Sequence, residues 1–430
     1  MTSGKIYKII NARLLINHEI VENSYLWFQD GKIVHPQNLF FNELRDADEI
    51  IDAKGLLVAP GFIDTQINGA YGIDFADYEG SIEKIQNDID TVAKGLLKYG
   101  CTAFCPTVVS SEPAVYEKVL PLLNQRKGSA KGGAEILGAH VEGPFISVEK
   151  KGAHKQAVFR DAKNGVSDFD NAYGSELKKG NQAVAIMTVA PEIDGVSDAI
   201  PDLVARGIKI AMGHSACRIA EAEKAVVNGA TSITHLFNAM QAFHHRDPGL
   251  IGVLGAADLP VPTSHKGHPA PSATSPCRTK PDPRPFFGLI CDGVHVHPNS
   301  IRIAYYSHPT GAVLVTDALS AMGLPEGEYT LGGRQLAIDK NGAAYIKGTN
   351  TLAGSTITID ECVRNFQRFT NCTLVEAIEA ATLHPAQLLG IEDRKGTLNA
   401  GSDADLVFLD DSEGAIRVKR VFVAGEEVAL

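Results

Sequence analysis

Four ionisable side chains stand at or just after the ends of short apolar runs: Glu142, His214, His235 and Asp317. Two imidazoles and one carboxylate form a ligand set that suits a catalytic divalent cation, with Zn²⁺ as the first choice and Fe²⁺, Co²⁺ or Mn²⁺ as alternatives. Asp317 would then be free to act as a general base on metal-activated water. A single histidine in such a place is more often a hydrogen-bonded core residue than a ligand. The prediction therefore depends on all four residues occurring at strand ends of one domain.

The elements that would position these residues recur through the middle of the chain. Eight short, continuous apolar runs cover residues 61–66, 102–109, 136–141, 184–190, 208–212, 232–236, 286–291 and 312–316. Such runs are typical of strands buried on both faces of a parallel sheet. Amphipathic stretches follow them, for example at 82–97, 112–123, 197–206, 218–228, 360–369 and 374–388. The count predicts an α/β fold with a (β/α)₈ TIM-type barrel, whose strand ends share one face, and a doubly wound open sheet is the alternative.

The two ends of the chain have a different pattern, in which short alternating runs are separated by turn residues. We predict that residues 1–58 and 391–430 together form a small β-sandwich domain and that residues 59–390 form the barrel. Residues 259–285 contain eight prolines, which exclude a helix or a central strand there. This segment is predicted to be a flexible insert in the barrel.

Composition limits the class of partner. The 430 residues carry a formal net charge of −11, with 44% hydrophobic and 21% charged residues, as in ordinary globular proteins. An acidic chain disfavours nucleic acid or an anionic membrane as a partner. Seven scattered cysteines without a Cys-x-x-Cys pair, and the lack of an apolar stretch of about 18 residues, favour a cytoplasmic location.

Several longer motifs together resemble one family. They are Pro60-Gly-Phe-Ile-Asp64, His140-Val-Glu-Gly-Pro-Phe145, Gly152-Ala-His154, His235-Leu-Phe-Asn-Ala-Met240, Asp292-Gly-Val-His295, Leu352-Ala-Gly-Ser355 and the segment Gly401 to Leu406. In this order they resemble the N-acetylglucosamine-6-phosphate deacetylases of the amidohydrolase superfamily. The resemblance implies hydrolysis of the acetamide of N-acetyl-D-glucosamine 6-phosphate to D-glucosamine 6-phosphate and acetate, in amino-sugar catabolism. It also implies one divalent metal ion per subunit and a homodimer.

The resemblance also implies roles for individual residues. Asp317 would act as base and then as acid, and His154 would polarise the acetyl carbonyl or orient the sugar. The residues implied to contact the substrate are Ala153, His154, Asn238, Ala239, Arg246, Asp292, Gly293, Val294, His295, Leu352, Ala353 and Gly354. Among these, Arg246, Asn238 and the backbone at Ala239 would bind the 6-phosphate. From the residues alone, His154 fits a surface loop as well as a functional position, and a solvated loop position is favoured for Arg246.

One departure from the wider superfamily concerns the first barrel strand. Many members have His-x-His there for a second metal, whereas this chain has Gln66-Ile67-Asn68. Neutral amides bind divalent cations poorly, so we expect a single metal with Gln66 and Asn68 as amides beside it. Two other functions stay open at this stage. The chain could be a different amidohydrolase, such as a cyclic amidase or a deaminase, or a non-catalytic scaffold that kept the fold.

Overall fold

The computed structural model describes residues 4–37, 46–77, 79–260, 282–331, 334–339, 344–348 and 352–430. Most of the predicted insert at 259–285 therefore lies outside the described residues. Strands up to the first barrel strand are β1 (Ile6–Ile16), β2 (Glu19–Gln29), β3 (Lys32–Val34), β4 (Glu49–Asp52), β5 (Leu57–Pro60) and β6 (Phe62–Ile67). Next are β7 (Gly69–Ala70), β8 (Ile73–Asp74), β9 (Cys101–Val109), β10 (Glu135–Ile136), β11 (Ala139–Glu142), β12 (Val184–Val189), β13 (Lys209–Met212), β14 (Ala230–Ile233), β15 (Phe286–Ile290) and β16 (Ala312–Val315). The last are β17 (Gly327–Leu331), β18 (Arg334–Ile338), β19 (Ala344–Ile346), β20 (Leu352–Gly354), β21 (Leu406–Asp410), β22 (Arg417–Val423) and β23 (Glu426–Glu427).

The α-helices follow the barrel strands and cover them. They are α1 (Ile82–Leu96), α2 (Pro113–Val119), α3 (Val166–Tyr173), α4 (Val196–Ala205), α5 (Ile219–Val227), α6 (Pro298–Ser307), α7 (Ile359–Thr370), α8 (Leu374–Glu379) and α9 (Leu383–Leu389). Within the described ranges, none of these helices combines the length and the apolar character needed to cross a bilayer.

Eight parallel strands form the predicted barrel, in the order β6-β9-β11-β12-β13-β14-β15-β16. Their side chains are almost entirely buried, as continuous apolar runs require. The eighth strand meets the first at the C-terminal face, where the backbone N–H of Asp317 donates to the carbonyl of Gln66 at 2.8 Å. The prediction of a TIM-type barrel is confirmed, and the open-sheet alternative is wrong.

A helix break that sequence periodicity did not predict lies beside the first and last barrel strands. The amphipathic stretch 374–388 forms two helices, α8 and α9, instead of one. Pro385 lacks an N–H, and its ring would clash with the carbonyl four residues earlier in a continuous helix. The carbonyls released at the break accept from barrel strands, Ala380 from the N–H of Leu314 and Ala381 from the N–H of Ile63, each at 2.8 Å.

Strands from both ends of the chain form one sheet beside the barrel, in the order β23-β22-β21-β5-β1-β2-β3 with β4 against β1. The edge strand β3 also contacts the chain just before β21, because Lys32 forms an antiparallel bridge with Asp403. Its interior is apolar and includes Ile9, Phe28 and Phe408. A small β domain built from both termini was predicted and is confirmed, while its exact boundaries stay a prediction. The antiparallel sheet β17–β20 was not predicted.

A cluster of charges joins the small domain to the N-terminal end of the barrel. Lys395 has only 3% of its side chain exposed, and its ammonium lies 2.9 Å from Glu135 and 3.3 Å from Asp403, with Asp405 also in contact. Burial raises the pKa of Asp403, but Lys32 and Lys395 outweigh burial and the pKa is lowered overall. The stability that Asp403 contributes is thus present above about pH 4 and lost as the pH falls below that value.

Replacing Lys395 by methionine should lower the free energy of unfolding by about 3–5 kcal/mol at pH 7, because it leaves buried carboxylates short of a counter-charge. Denaturant midpoints measure the effect. The control is Lys127→Met, since the Lys127 ammonium contacts Glu135 and Asp403 at 3.6 and 3.5 Å but its side chain is 68% exposed. That change should cost about 0–1 kcal/mol. The Lys395→Met penalty should shrink toward pH 4 as the carboxylates take up protons, and equal penalties for both variants would contradict this interpretation.

Candidate metal centre and active site

Three predicted ligands converge at the C-terminal face of the barrel. Glu142 is the last residue of β11, and His214 and His235 each follow their strand, β13 or β14, by two residues. Oε1 of Glu142 lies 3.0 Å from Nε2 of each histidine, and the two Nε2 atoms are 3.1 Å apart. All three side chains are buried. The structure therefore brings the predicted ligand set together.

Three of the site residues share an unusual backbone conformation. His214, His235 and Asp317 each stand two positions after a barrel strand, with φ of 48°, 29° and 46°. Residues other than glycine are strained in this left-handed region of backbone conformation. They keep such a conformation only where surrounding contacts hold it. The strand ends thus need neighbouring groups that fix the loops carrying these side chains.

The surroundings of the two histidines favour positive charge between them. Nδ1 of His214 faces the carbonyl of Lys150 at 2.8 Å, which puts the proton on Nδ1 and leaves the Nε2 lone pair directed at the centre. Burial lowers the pKa of His235, but its hydrogen bond to Glu142 outweighs burial and raises that pKa to about 8. Positive charge is therefore stabilised at this point. The donor set of two imidazole nitrogens and one carboxylate would hold a divalent cation with positions left for substrate and water.

Asp317 lies beside this centre and is held by two amides. Nε2 of Gln66 donates to Oδ1 of Asp317 and to Oε1 of Glu142, both at 3.2 Å, and Nδ2 of Asn68 donates to Oδ1 of Asp317 at 2.8 Å. Ionised carboxylates only accept, so the amide of Gln66 must turn its NH₂ toward them. This orientation favours one cation over two. Burial, followed by the charge of Glu142, raises the pKa of Asp317 to about 6.

His154 is buried against the predicted ligand His214, with ring centroids 4.4 Å apart. The backbone N–H of Ser110 donates to Nδ1 of His154 at 3.2 Å, and the Ser110 hydroxyl lies 2.8 Å from the same atom. Because Nδ1 accepts, the proton of the neutral ring is on Nε2. Burial, with the charge of His214 next, lowers the pKa of His154 to about 3, so the ring is neutral at pH 7.

The residues implied to contact substrate differ in how closely the structure fixes them. Asp292 accepts from the N–H groups of Val294 and His295 at 2.8 Å, and its second oxygen lies 2.5 Å from Nδ1 of His295. Burial lowers the pKa of His295, but Asp292 outweighs burial and raises it overall. Arg246 lies on an exposed loop. The described residues show no contact between Arg246 and the predicted metal ligands.

The segment from Leu352 to Gly354 is strand β20, which leads into Ser355 beside the Asp317 loop. Ala318 forms a bridge with Ser355, and the N–H of Leu319 donates to the Ser355 carbonyl at 2.9 Å. The side chains of Leu352 and Ala353 lie outside the described residues. The backbone that follows β20 is nevertheless fixed next to the loop that carries Asp317.

Sequence reasoning missed two groups that support the site, Ser110 and Glu192. Ser110 follows β9 directly and contacts His154, and Glu192 follows β12 by three residues and contacts the loop after His214. The signal was available, because both are polar residues just beyond predicted barrel strands. Neither belongs to a motif that the resemblance assigned.

Comparisons with known proteins show the family of the chain. The model of the amidohydrolase family matches residues 57–274 and 284–428. A Danio rerio protein named N-acetylglucosamine-6-phosphate deacetylase is 46% identical over 430 residues, which cover 100% of this chain and 98% of the relative. The chain belongs to the N-acetylglucosamine-6-phosphate deacetylase family of amidohydrolases. The predictions of the family and of a hydrolase are therefore confirmed.

Solved structures of this family superpose on the whole chain. The deacetylase from Pasteurella multocida has a TM-score of 0.78 at 26% identity and covers 99% of this chain and 100% of its own. The Mycobacterium smegmatis deacetylase, in a complex with N-acetyl-D-glucosamine-6-phosphate, has a TM-score of 0.76 at 27% identity with the same coverage. The barrel and the added small domain are thus the fold of the family.

Proposed function

We propose that this chain hydrolyses the acetamide of N-acetyl-D-glucosamine 6-phosphate, giving D-glucosamine 6-phosphate and acetate in amino-sugar catabolism. The observation that carries the proposal is the convergence of Glu142, His214 and His235, with Asp317 and His154 on either side, in a member of this deacetylase family. The metal is proposed to be one Zn²⁺ per subunit. A homodimer in the cytoplasm stays a prediction.

A divalent cation held by the three ligands would supply Lewis-acid chemistry, making a water molecule more acidic and stabilising negative charge on the acetyl oxygen. Asp317 would accept a proton from the attacking water. As the C–N bond breaks, the same carboxyl group would return that proton to the leaving amine nitrogen. The contact through Gln66 supports this role, because one amide joins Asp317 to the ligand Glu142.

His154 is proposed to donate a hydrogen bond from its Nε2–H group to the acetyl carbonyl oxygen. The contacts of Ser110 with Nδ1 support this assignment, because they leave the opposite nitrogen as the donor. A neutral, pre-oriented N–H is effective where negative charge develops on an oxygen.

Replacing His154 by phenylalanine should therefore lower kcat by about 10², the usual cost of losing one such donor. Metal content should stay at the wild-type level, because His154 is not a ligand in this scheme. His154→Gln, which keeps an N–H donor, should retain more activity than His154→Phe. Steady-state kinetics and metal analysis of both variants measure this, and equal activity of the two variants would remove the donor role.

The 6-phosphate is proposed to bind at Arg246, Asn238 and the backbone of Ala239, and the sugar at His295. An exposed guanidinium is available for bidentate contact with phosphate oxygens. The N–H of Ser215 donates to the carbonyl of Ala239 at 3.2 Å, which holds that part of the loop. The acetyl group would lie near Leu352–Gly354, and Ala153 and the turn at Asp292–Val294 would line the remaining edge.

The test is amine release by the metal-loaded protein from N-acetylglucosamine 6-phosphate, measured beside unphosphorylated N-acetylglucosamine and N-acetylgalactosamine 6-phosphate. We expect kcat/KM for the phosphorylated glucosamine derivative to exceed that for the unphosphorylated sugar by at least about tenfold, since a charge-assisted pair contributes roughly 1.5–3 kcal/mol. Equal rates with and without phosphate would contradict the phosphate site. A protein that binds metal yet leaves all three sugars intact would refute the proposed function.

A further inference from the structure

Glu192 is a half-buried carboxylate that the reaction scheme above does not use. It follows β12 at the C-terminal face of the barrel, and its two oxygens point at the loop after β13. Oε2 accepts from the hydroxyl of Ser215 at 2.7 Å, and Oε1 accepts from the backbone N–H of Ala216 at 2.6 Å. The carboxylate therefore binds two donors that directly follow the metal ligand His214.

The same loop is tied to its neighbour on the other side. The Ser215 hydroxyl also accepts from the N–H of Cys217 at 3.1 Å. The N–H of Ser215 donates to the carbonyl of Ala239, and Ser215 forms a parallel bridge with Met240. Ser215 thus connects Glu192 with the loop at Ala239, whose φ of 49° is also left-handed.

These contacts act where the backbone most needs support. The φ of 48° at His214 is disfavoured for a histidine, and the next two residues are those that Glu192 binds. Without the carboxylate, the N–H of Ala216 would lose its acceptor and the loop could relax toward an ordinary backbone conformation. Nε2 of His214 would then move away from Oε1 of Glu142.

We propose that Glu192 is a positioning residue that holds His214 in its metal-binding geometry and, through Ser215, couples the metal centre to the substrate loop at Ala239. The coupling to substrate rests on the proposed function. The effect on metal binding does not, because it depends only on the ligand set.

The first experiment measures Zn²⁺ affinity of the apo-protein by competition with a chromophoric chelator. Glu192→Ala should bind Zn²⁺ about 10–100-fold more weakly, the usual cost of losing a group that orients a ligand. Glu192→Gln should lose less than Glu192→Ala, because its amide oxygen can still accept from Ala216. The matched control is Glu176→Ala, which removes a buried carboxylate that binds Lys179 and Asn124 away from this loop. Wild-type affinity in Glu192→Ala, or an equal loss in Glu176→Ala, would overturn the proposal.

The second experiment measures kinetics at saturating Zn²⁺. We expect kcat of Glu192→Ala to recover toward wild type while KM for the phosphorylated substrate stays raised by several-fold. A KM equal to that of wild type would refute the coupling to the Ala239 loop. If Glu192→Ala does not fold, Ser215→Ala removes one of the two contacts and should weaken Zn²⁺ binding to a smaller degree. If wild type deacetylates nothing but Glu192→Ala still binds Zn²⁺ weakly, the proposed function fails while the positioning of His214 stands.

Discussion

Asp317→Asn should lower kcat by about 10²–10⁴, the range associated with loss of a general acid–base group. Asparagine has the same shape, and its carbonyl oxygen can keep accepting from Gln66 and Asn68. The substituted group cannot take a proton from water or return one to the leaving amine. Because Glu142 and both histidines are unchanged, metal content and KM should stay close to those of wild type.

The control for this variant is Asp170→Asn, which changes a carboxylate that pairs with Arg206 outside the site. Its kcat should equal that of wild type. A fall of less than about tenfold in Asp317→Asn, with the metal still bound, would place the base elsewhere. Loss of metal from Asp317→Asn would instead show that Asp317 acts mainly as a ligand.

The sequence predicted the barrel because burial on both faces of a parallel sheet imposes continuous apolar runs, as in β12 and β16. It also predicted where the reactive residues meet. Parallel strands share a C-terminal face, so a polar residue just after each run had to reach the same region. Glu142, His214, His235 and Asp317 do lie together at that face.

The parts that could not be predicted depend on contacts between distant segments. The break between α8 and α9 serves barrel strands more than 60 residues away, through the carbonyls of Ala380 and Ala381. Glu192 stands just beyond a predicted strand, but its contact with Ser215 emerges only where the fold brings the ends of two strands together. The sheet β17–β20 lies between the last barrel strand and α7, where no strand was expected.

The left-handed backbone at three site residues was also hidden in the sequence, because glycine is the usual signal for positive φ and none of these positions is glycine. In the proposed scheme, histidine and aspartate occupy them because their side chains act at the centre. Strain of about 1–3 kcal/mol per residue must then be offset by surrounding contacts. The backbone carbonyls of Lys150 and Gln66 accept such contacts, from the ring of His214 and from the backbone N–H of Asp317.

Glu142→Gln should abolish activity at micromolar Zn²⁺ by removing the metal. Glu142 is the sole carboxylate of the ligand set, and burial raises its pKa while hydrogen bonds from His214 and His235 outweigh burial and lower it well below its usual range. An amide of the same shape is a poor ligand for a divalent cation. Changing even a supporting group costs 10–100-fold in affinity, so loss of this ligand should weaken Zn²⁺ binding by more than about 100-fold. Chelator competition and metal analysis measure the change.

Thermal denaturation gives a second readout that does not depend on turnover. A ligand that binds only the folded state stabilises it by about 2.7 kcal/mol when present at 100 times its Kd. Zn²⁺ should therefore raise the Tm of apo wild type and of apo Asp317→Asn, but leave that of Glu142→Gln almost unchanged. Asp317→Asn is expected to keep the metal and Glu142→Gln to lose it. Comparing the two variants therefore distinguishes loss of the general base from loss of a metal ligand. Stoichiometric Zn²⁺ in purified Glu142→Gln would contradict the assigned centre, since the two histidines alone should not retain the ion.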